Sequence, residues 1–245
     1  MLKVDLHIHT ADDPVDRIPH TTTDLIDRAA QLGYDAVAVT LHERQLDLGP
    51  VESYAAERGI LLIRGVERTI EGKHVLLLNF ERGADELDTF TDLARFKADD
   101  ANRDGLVIAP HPYFPSTTCL WSDLTRYAHL FDAVEYNAMF TRQLNFNRAA
   151  ERWAAQHGKP MVGNGDVHRL RQLGSTYSLV DAPRDASAIC AAIAQGRVQV
   201  VSRPLSWIAA AGIMADLSGW RRHAGPQPNT TPASDSTSIS LPQSV

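Results

Sequence analysis

The chain opens on an alternating stretch, Val4-Asp5-Leu6-His7-Ile8-His9-Thr10. Leu6 and Ile8 share one face and Asp5, His7 and His9 the other, which is the period of a strand. Residues 21–33 repeat at helical spacing instead: Leu25, Ile26, Ala29 and Leu32 form the apolar stripe, Thr21 with Asp24 makes a capping-box start, and Gly33 is the stop. Residues 36–42 are almost wholly apolar, as in a strand buried on both faces. A helix over 51–58 follows, then strands over 61–66 and 74–80 on either side of a Glu71-Gly72 turn. The pattern further predicts helices over 85–102, 120–131, 145–157 and 185–195. Strands are expected over 106–111, 133–137, 160–168, 175–180 and 198–202.

Strand and helix thus alternate about seven times with short connections, which predicts a parallel sheet with right-handed crossovers. An open doubly wound sheet needs a crevice at a switch point, usually with a glycine-rich loop after its first strand. Here the first strand ends in His-Ile-His-Thr, and polar residues recur at the carboxyl ends of later strands, where a closed barrel builds its site. The expectation is an α/β chain with a TIM-barrel-like domain over residues 1–223. Residues 205–220, with Trp207, Ile208, Ile213, Met214 and Leu217, read as an amphipathic helix covering the barrel. Residues 224–245 are Pro, Ser, Thr and Gln with few apolar side chains, and are expected to form a disordered tail.

Composition narrows the function. A net charge of −6 at pH 7 carries no basic footprint, which argues against a dedicated nucleic-acid binder. Two cysteines, Cys119 and Cys190, exclude a thiolate zinc cluster or a disulfide framework. No apolar run is long enough to span a membrane, and Met1-Leu2-Lys3 leads directly into the first strand, so a cytoplasmic protein is expected.

The chemistry lies in what the strand ends carry: His7, His9, His42, Glu67, His74, His111, Asp166 and His168. Each alone has an ordinary structural account. Together at one barrel mouth, so many imidazoles and carboxylates are costly to bury unless they are paired or hold metal. Mixed His and carboxylate donors without thiolate suit Zn, Mn or Fe.

The set His7-Ile8-His9-Thr10, His42, Gly65-Val66-Glu67 with His74-Val75-Leu76, Pro110-His111-Pro112 and Asp166-Val167-His168 resembles the PHP (polymerase and histidinol phosphatase) family of metal-dependent phosphoesterases. The likeness runs from about residue 3 to 203 in the family's motif order. It implies a distorted (β/α)7 barrel with two or three divalent ions at its carboxyl face. By that resemblance His7, His9, Glu67 and Asp166 hold the first ion, and Glu67 bridges to a second held by His74 and His111. A third takes His42, His168 and a residue of the loop 11–20. Asp13 is the chosen loop ligand, with Asp12, Asp16 and His20 as alternatives. Leu41 departs from the family, which has Asp at this position; its apolar side chain removes a partner for His42 and weakens the expected third site.

The implied reaction is hydrolysis of a small-molecule phosphomonoester by a metal-bridging hydroxide, with Glu67, Asp166 and His168 carrying the chemistry. Arg142, Arg169 and Arg171 are candidates to clamp the substrate phosphate. Tyr113, Tyr136 and Asn137 are expected near the substrate walls. The alternatives are a nuclease or phosphodiesterase, a related amidohydrolase barrel, and a non-catalytic metal-binding domain.

Overall fold

The computed structural model describes residues 1–220. Nine strands form one sheet: β1 (Leu2–Asp5), β2 (Ala36–His42), β3 (Leu61–Ile70), β4 (Lys73–Leu78), β5 (Leu106–Ala109), β6 (Ala133–Asn137), β7 (Met161–Asn164), β8 (Thr176–Val180) and β9 (Val198–Ser202). Their order is β7-β6-β5-β4-β3-β2-β1-β8-β9. Beyond β1 the chain stays extended, and Ile8 bridges Val167 in parallel. His9 N–H donates to the Val167 carbonyl at 3.0 Å and Val167 N–H to the His7 carbonyl at 3.1 Å. These bonds draw β1 to the end of β7 and all but close the barrel at its carboxyl mouth.

The sheet is not parallel throughout, as the alternation predicts. β1, β2 and β3 are parallel, as are β5, β6 and β7, but β4 is antiparallel to both neighbours and β8 is antiparallel to β1 and β9. For β4 the cause lies at Glu71 and Gly72, whose φ values of 49° and 77° make a two-residue hairpin turn. So short a link cannot carry the crossover that a parallel pair requires.

Among the described residues, seven α-helices accompany the strands: α1 (Thr22–Gln31), α2 (Gly49–Glu57), α3 (Phe90–Ala98), α4 (Ser122–Arg126), α5 (Asn147–His157), α6 (Ala186–Ala194) and α7 (Trp207–Trp220). α1 starts on the predicted Thr21–Asp24 capping box. The helix expected over 85–102 is broken. The β3–β4 hairpin claims the backbone before α3: Arg68 Nε donates to the Leu87 carbonyl and Glu71 N–H to that of Asp88. The helix therefore begins only where Thr89 caps it through the N–H of Asp92. The stretch over 120–131 likewise divides into α4 and a 3₁₀ turn at Ala128–Leu130.

Val4, Ala36, Ala38, Ile63, Leu76, Leu78, Leu106, Ile108, Ala133 and Val162 meet Ile189, Cys190, Ala192 and Ile193 of α6 in one buried cluster. The opposite face of β2 (Val37, Val39 and Leu41) packs with Leu25, Ile26 and Ala29 of α1. On β2 the cluster's face continues as Thr40 and His42, on β3 as Gly65 and Glu67, and on β6 as Glu135 and Asn137. The barrel interior is therefore apolar at one end and polar at the other.

α7 departs from the expected amphipathic cover. Among its described side chains Ile213 is buried, whereas Trp207, Ile208 and Met214 are exposed. The predicted tail over 224–245 lies outside the described residues. No described helix is long and apolar enough to cross a membrane.

Candidate metal centre

Strand register brings the donors together. β2 and β3 pair with His42 beside Glu67, and β4 returns with His74 beside Thr69. His7 and His9 follow β1, His111 follows β5, and Asp166 and His168 follow β7. Glu67 is at the centre. Its Oε2 lies 3.2 Å from His42 Nε2, 3.3 Å from His7 Nε2 and 3.4 Å from His9 Nε2. Its Oε1 lies 2.7 Å from His74 Nδ1 and 3.1 Å from His111 Nε2. Asp166 Oδ1 stands 3.5 Å from His7 Nε2 and 3.7 Å from His9 Nε2.

Three of these nitrogens, His7 Nε2, His9 Nε2 and His74 Nδ1, are buried and have no hydrogen-bond partner. Buried polar atoms are normally satisfied, and these face carboxylate oxygens without bonding geometry. Donor atoms of His7, His9 and Asp166, and of His42, Glu67 and His74, each lie within 4.8 Å of one another, close enough to converge on a divalent ion. The residues present fit the expected metals in type as well, since all are imidazole or carboxylate.

Two carboxylates stand behind the imidazoles. Glu135 Oε1 is 2.9 Å from His7 Nδ1, and its Oε2 accepts the His111 N–H at 2.7 Å. Asp13 Oδ2 is 2.9 Å from His9 Nδ1 and 3.0 Å from His42 Nδ1, and it also accepts the His42 N–H at 3.0 Å. In both cases the Nδ1 is engaged and the Nε2 is left facing Glu67, the arrangement that fixes an imidazole's tautomer and direction. Leu41 therefore does not leave His42 unsupported: Asp13 reaches it from the loop. Glu135 was not singled out by sequence, although a single carboxylate in the apolar strand Ala133-Val134-Glu135 is the signal that marks it.

The expected third set does not assemble with the other two. His168 Nε2 faces Asp16 Oδ2 at 3.2 Å, while His42 Nε2 faces Glu67. Among the described residues, the donor groups close enough to share an ion include neither His168 nor Asp16. Of the loop candidates, Asp16 lines the cavity described below. Asp13 is turned to the backs of His9 and His42. The Asp12 carboxylate accepts from the Thr10 and Thr22 hydroxyls, and His20 is buried away from the cavity.

Two residues of the cluster adopt positive φ, His111 at 27° and Asp166 at 46°, a cost that non-glycine residues bear mainly at functional sites. The electrostatics are those of a tight charge cluster. Burial would raise the Glu67 carboxyl, but His74, His7 and His42 hold it well below the usual range. Burial would lower His7, but Asp166, Glu135 and Glu67 hold it well above. Asp5 is pushed up to about 7 by burial, although it accepts hydrogen bonds from Gly165 and His7 N–H.

A cavity of about 460 Å3 opens above the cluster. Asp16, His42, Glu67, His74, His111, Asp166 and His168 line it, as do the loop 114–119, Asn137, Met139 and Met214. Arg142, Arg169 and Arg171, expected as phosphate clamps, are not among its lining residues. Arg142 and Arg171 are exposed, and the Arg171 guanidinium lies alongside Gly212 of α7. Of the expected wall residues, Asn137 lines the cavity and Tyr113 and Tyr136 do not.

Comparison with known proteins matches the PHP-associated family model PHP_C to residues 145–198. No curated protein matches the chain. Several solved structures share its fold. A two-domain protein from Bacteroides vulgatus containing a predicted PHP-like metal-dependent phosphoesterase superposes with a TM-score of 0.61 at 21% identity, over 82% of this chain and 65% of that one. PsfC from Pseudomonas syringae gives 0.58 at 17% identity, over 90% and 98%. The lesion-specific endonuclease Q of Pyrococcus furiosus gives 0.51 at 15%, over 87% and 66%. The chain thus spans just under two thirds of the Bacteroides and Pyrococcus proteins.

Proposed function

We propose that this chain, a member of the PHP domain family by its fold and its PHP-associated segment, is a metal-dependent hydrolase that cleaves a small phosphate ester. The observation that carries this reading is Glu67, whose two oxygens face two separate sets of imidazoles. His7, His9 and Asp166 with Glu67 Oε2 would hold one divalent ion, and His74 and His111 with Glu67 Oε1 a second. Zn, Mn and Fe all suit such donors. Ions so held activate water at neutral pH and neutralise charge on a phosphoryl group.

The protein's own part is positioning. Glu135 fixes the ring of His7 and the backbone of His111, and Asp13 fixes His9 and His42. Asn137 Nδ2 donates to Asp166 Oδ2 at 3.2 Å and to Glu135 Oε2 at 3.3 Å, which aims the Asp166 carboxylate. Asp16 and His168, paired at the cavity wall, would hold or move a proton at the leaving oxygen. No side-chain nucleophile is required.

The nuclease reading is favoured by the endonuclease with this fold, so oligonucleotides belong in the same assay. The test is elemental analysis with phosphatase and nuclease rates for the wild type and Glu67→Gln. The expected result is at least two ions in the wild type, and a variant that folds, loses metal and is inactive, because a neutral amide bridges two cations poorly. A variant with unchanged metal content and turnover would overturn the binuclear reading.

A further inference from the structure

The walls of the cavity differ in character from its floor. The floor carries the charges: Glu67, Asp166 and Asp16 with the histidines. The walls carry Phe114, Pro115, Met139 and Met214 with uncharged Ser, Thr, Cys and Asn side chains between them, and among the described lining residues there is no Lys or Arg. The rim continues the pattern. Besides Met1, the large apolar side chains exposed among the described residues are Val15, Trp121 and Leu144, outside the helices, and Trp207, Ile208 and Met214 of α7, of which Met214 lines the cavity.

Several of them belong to segments that adjoin the cavity lining. Val15 precedes the cavity residue Asp16, and both N–H groups donate to Asp13 Oδ1. Trp121 Nε1 donates to the carbonyl of Ser116, a wall residue, at 3.2 Å. Leu144 closes the turn with Thr141 that follows Met139. The segment before α7 is tied to that loop by Leu205 N–H donating to the Phe140 carbonyl at 2.8 Å. Apolar surface gathered at one mouth marks a recognition site rather than chance exposure.

Resting on the phosphoesterase reading above, we propose that the substrate is a monoester with a single phosphate and an uncharged, largely apolar body. The phosphate would meet the metal-holding floor. The body would lie along Phe114, Met139 and Met214 towards the Trp121 and Trp207 rim. A second anionic group, as in a nucleoside diphosphate or an oligonucleotide, would find carboxylates on the floor and no cation on the described walls, and would be excluded by desolvation without compensation.

The test is a homologous series on the metal-loaded protein. Straight-chain alkyl phosphates from methyl to hexyl are assayed for kcat/KM, and the matching alkylphosphonates for binding by calorimetry. Each pair of buried methylenes is expected to raise kcat/KM and affinity on the order of tenfold until the cavity is filled. Nucleoside diphosphates and short oligonucleotides should be the poorest ligands and substrates. Met139→Lys should flatten the series and leave metal content unchanged.

A flat or falling series in the binding experiment, or a preference for the multiply charged compounds, would overturn this inference. Rising phosphonate affinity without hydrolysis of any ester would instead uphold the apolar site and overturn the phosphoesterase reading. The two failures are therefore distinguishable.

Discussion

Asp13 lies behind two imidazoles rather than between them and the cavity. Its Oδ2 serves His9 Nδ1, His42 Nδ1 and the His42 N–H at once, and the two histidines hold its carboxyl far below the usual range although burial would raise it. Asp13→Ala should therefore weaken metal binding about 10–100-fold, as loss of a supporting partner does, while leaving every donor towards Glu67 in place. Equilibrium titration with Zn or Mn checks this, and an unchanged affinity would show that the two rings are held without it. Asp16→Ala should leave the affinity of the paired ions nearly unchanged and act on turnover. The residues that cluster about Glu67 were legible because most of them stand at the end of an apolar run. Asp13 and Glu135 were read less well for one reason: a carboxylate's role depends on which face of which ring it meets, and only the folded register of β1, β2 and β6 decides that. The arginines stand apart. Arg169 and Arg171 follow His168 in sequence, yet neither they nor Arg142 are among the residues that line the cavity.

Among the elements, most strands and the capped helices were legible from period and punctuation. Thr21 with Asp24 and the glycines Gly33 and Gly158 mark real helix ends, the last two at φ 68° and 64°. What alternation could not reveal was direction: an apolar run reads the same in a parallel or an antiparallel strand, and only the short Glu71-Gly72 link shows that β4 must turn back. Near its closing edge the barrel depends on close approach. A Cβ on Gly163 of β7 would come within 2.8 Å of the Tyr177 carbonyl of β8 and 2.9 Å of Val200 Cγ1 of β9. Backbone cannot withdraw as a flexible side chain can. Gly163→Ala should cost roughly 1–3 kcal/mol, and each 1 kcal/mol lowers Tm by about 2–4 °C in a chain of this size. Calorimetry reads the shift; an unchanged Tm would mean that β7 and the β8–β9 hairpin move apart freely.

For the whole molecule, the proposed donors come from the ends of β1, β3, β4, β5 and β7, so bound ions would tie most of the circumference of the barrel. Metal should then stabilise the fold as one unit, by about 2.7 kcal/mol at a free concentration 100 times Kd, and a chelator should lower Tm without splitting the transition. The pH dependence follows from the same cluster. In the metal-free protein His7 and His111 are held above their ordinary value of 6.5, against the effect of burial, by the carboxylates and other groups around them. A raised imidazole contributes stability that is complete below 6.5 and is lost as pH rises through its folded value. The lowered Glu67, against burial, contributes stability that is complete above its ordinary value of 4.5 and is lost as pH falls through its folded value. The metal-free barrel is therefore most stable between these limits and weakens above them. Metal binds the neutral rings and competes with the same protons, so its contribution should grow as the imidazoles' own fades. The Tm difference between metal-loaded and chelator-treated protein is expected to widen steadily from about pH 6 to about pH 8. A difference that is constant or narrows over that range would mean that the ions bind away from His7 and His111, and the assignment of both sites about Glu67 would fall with it.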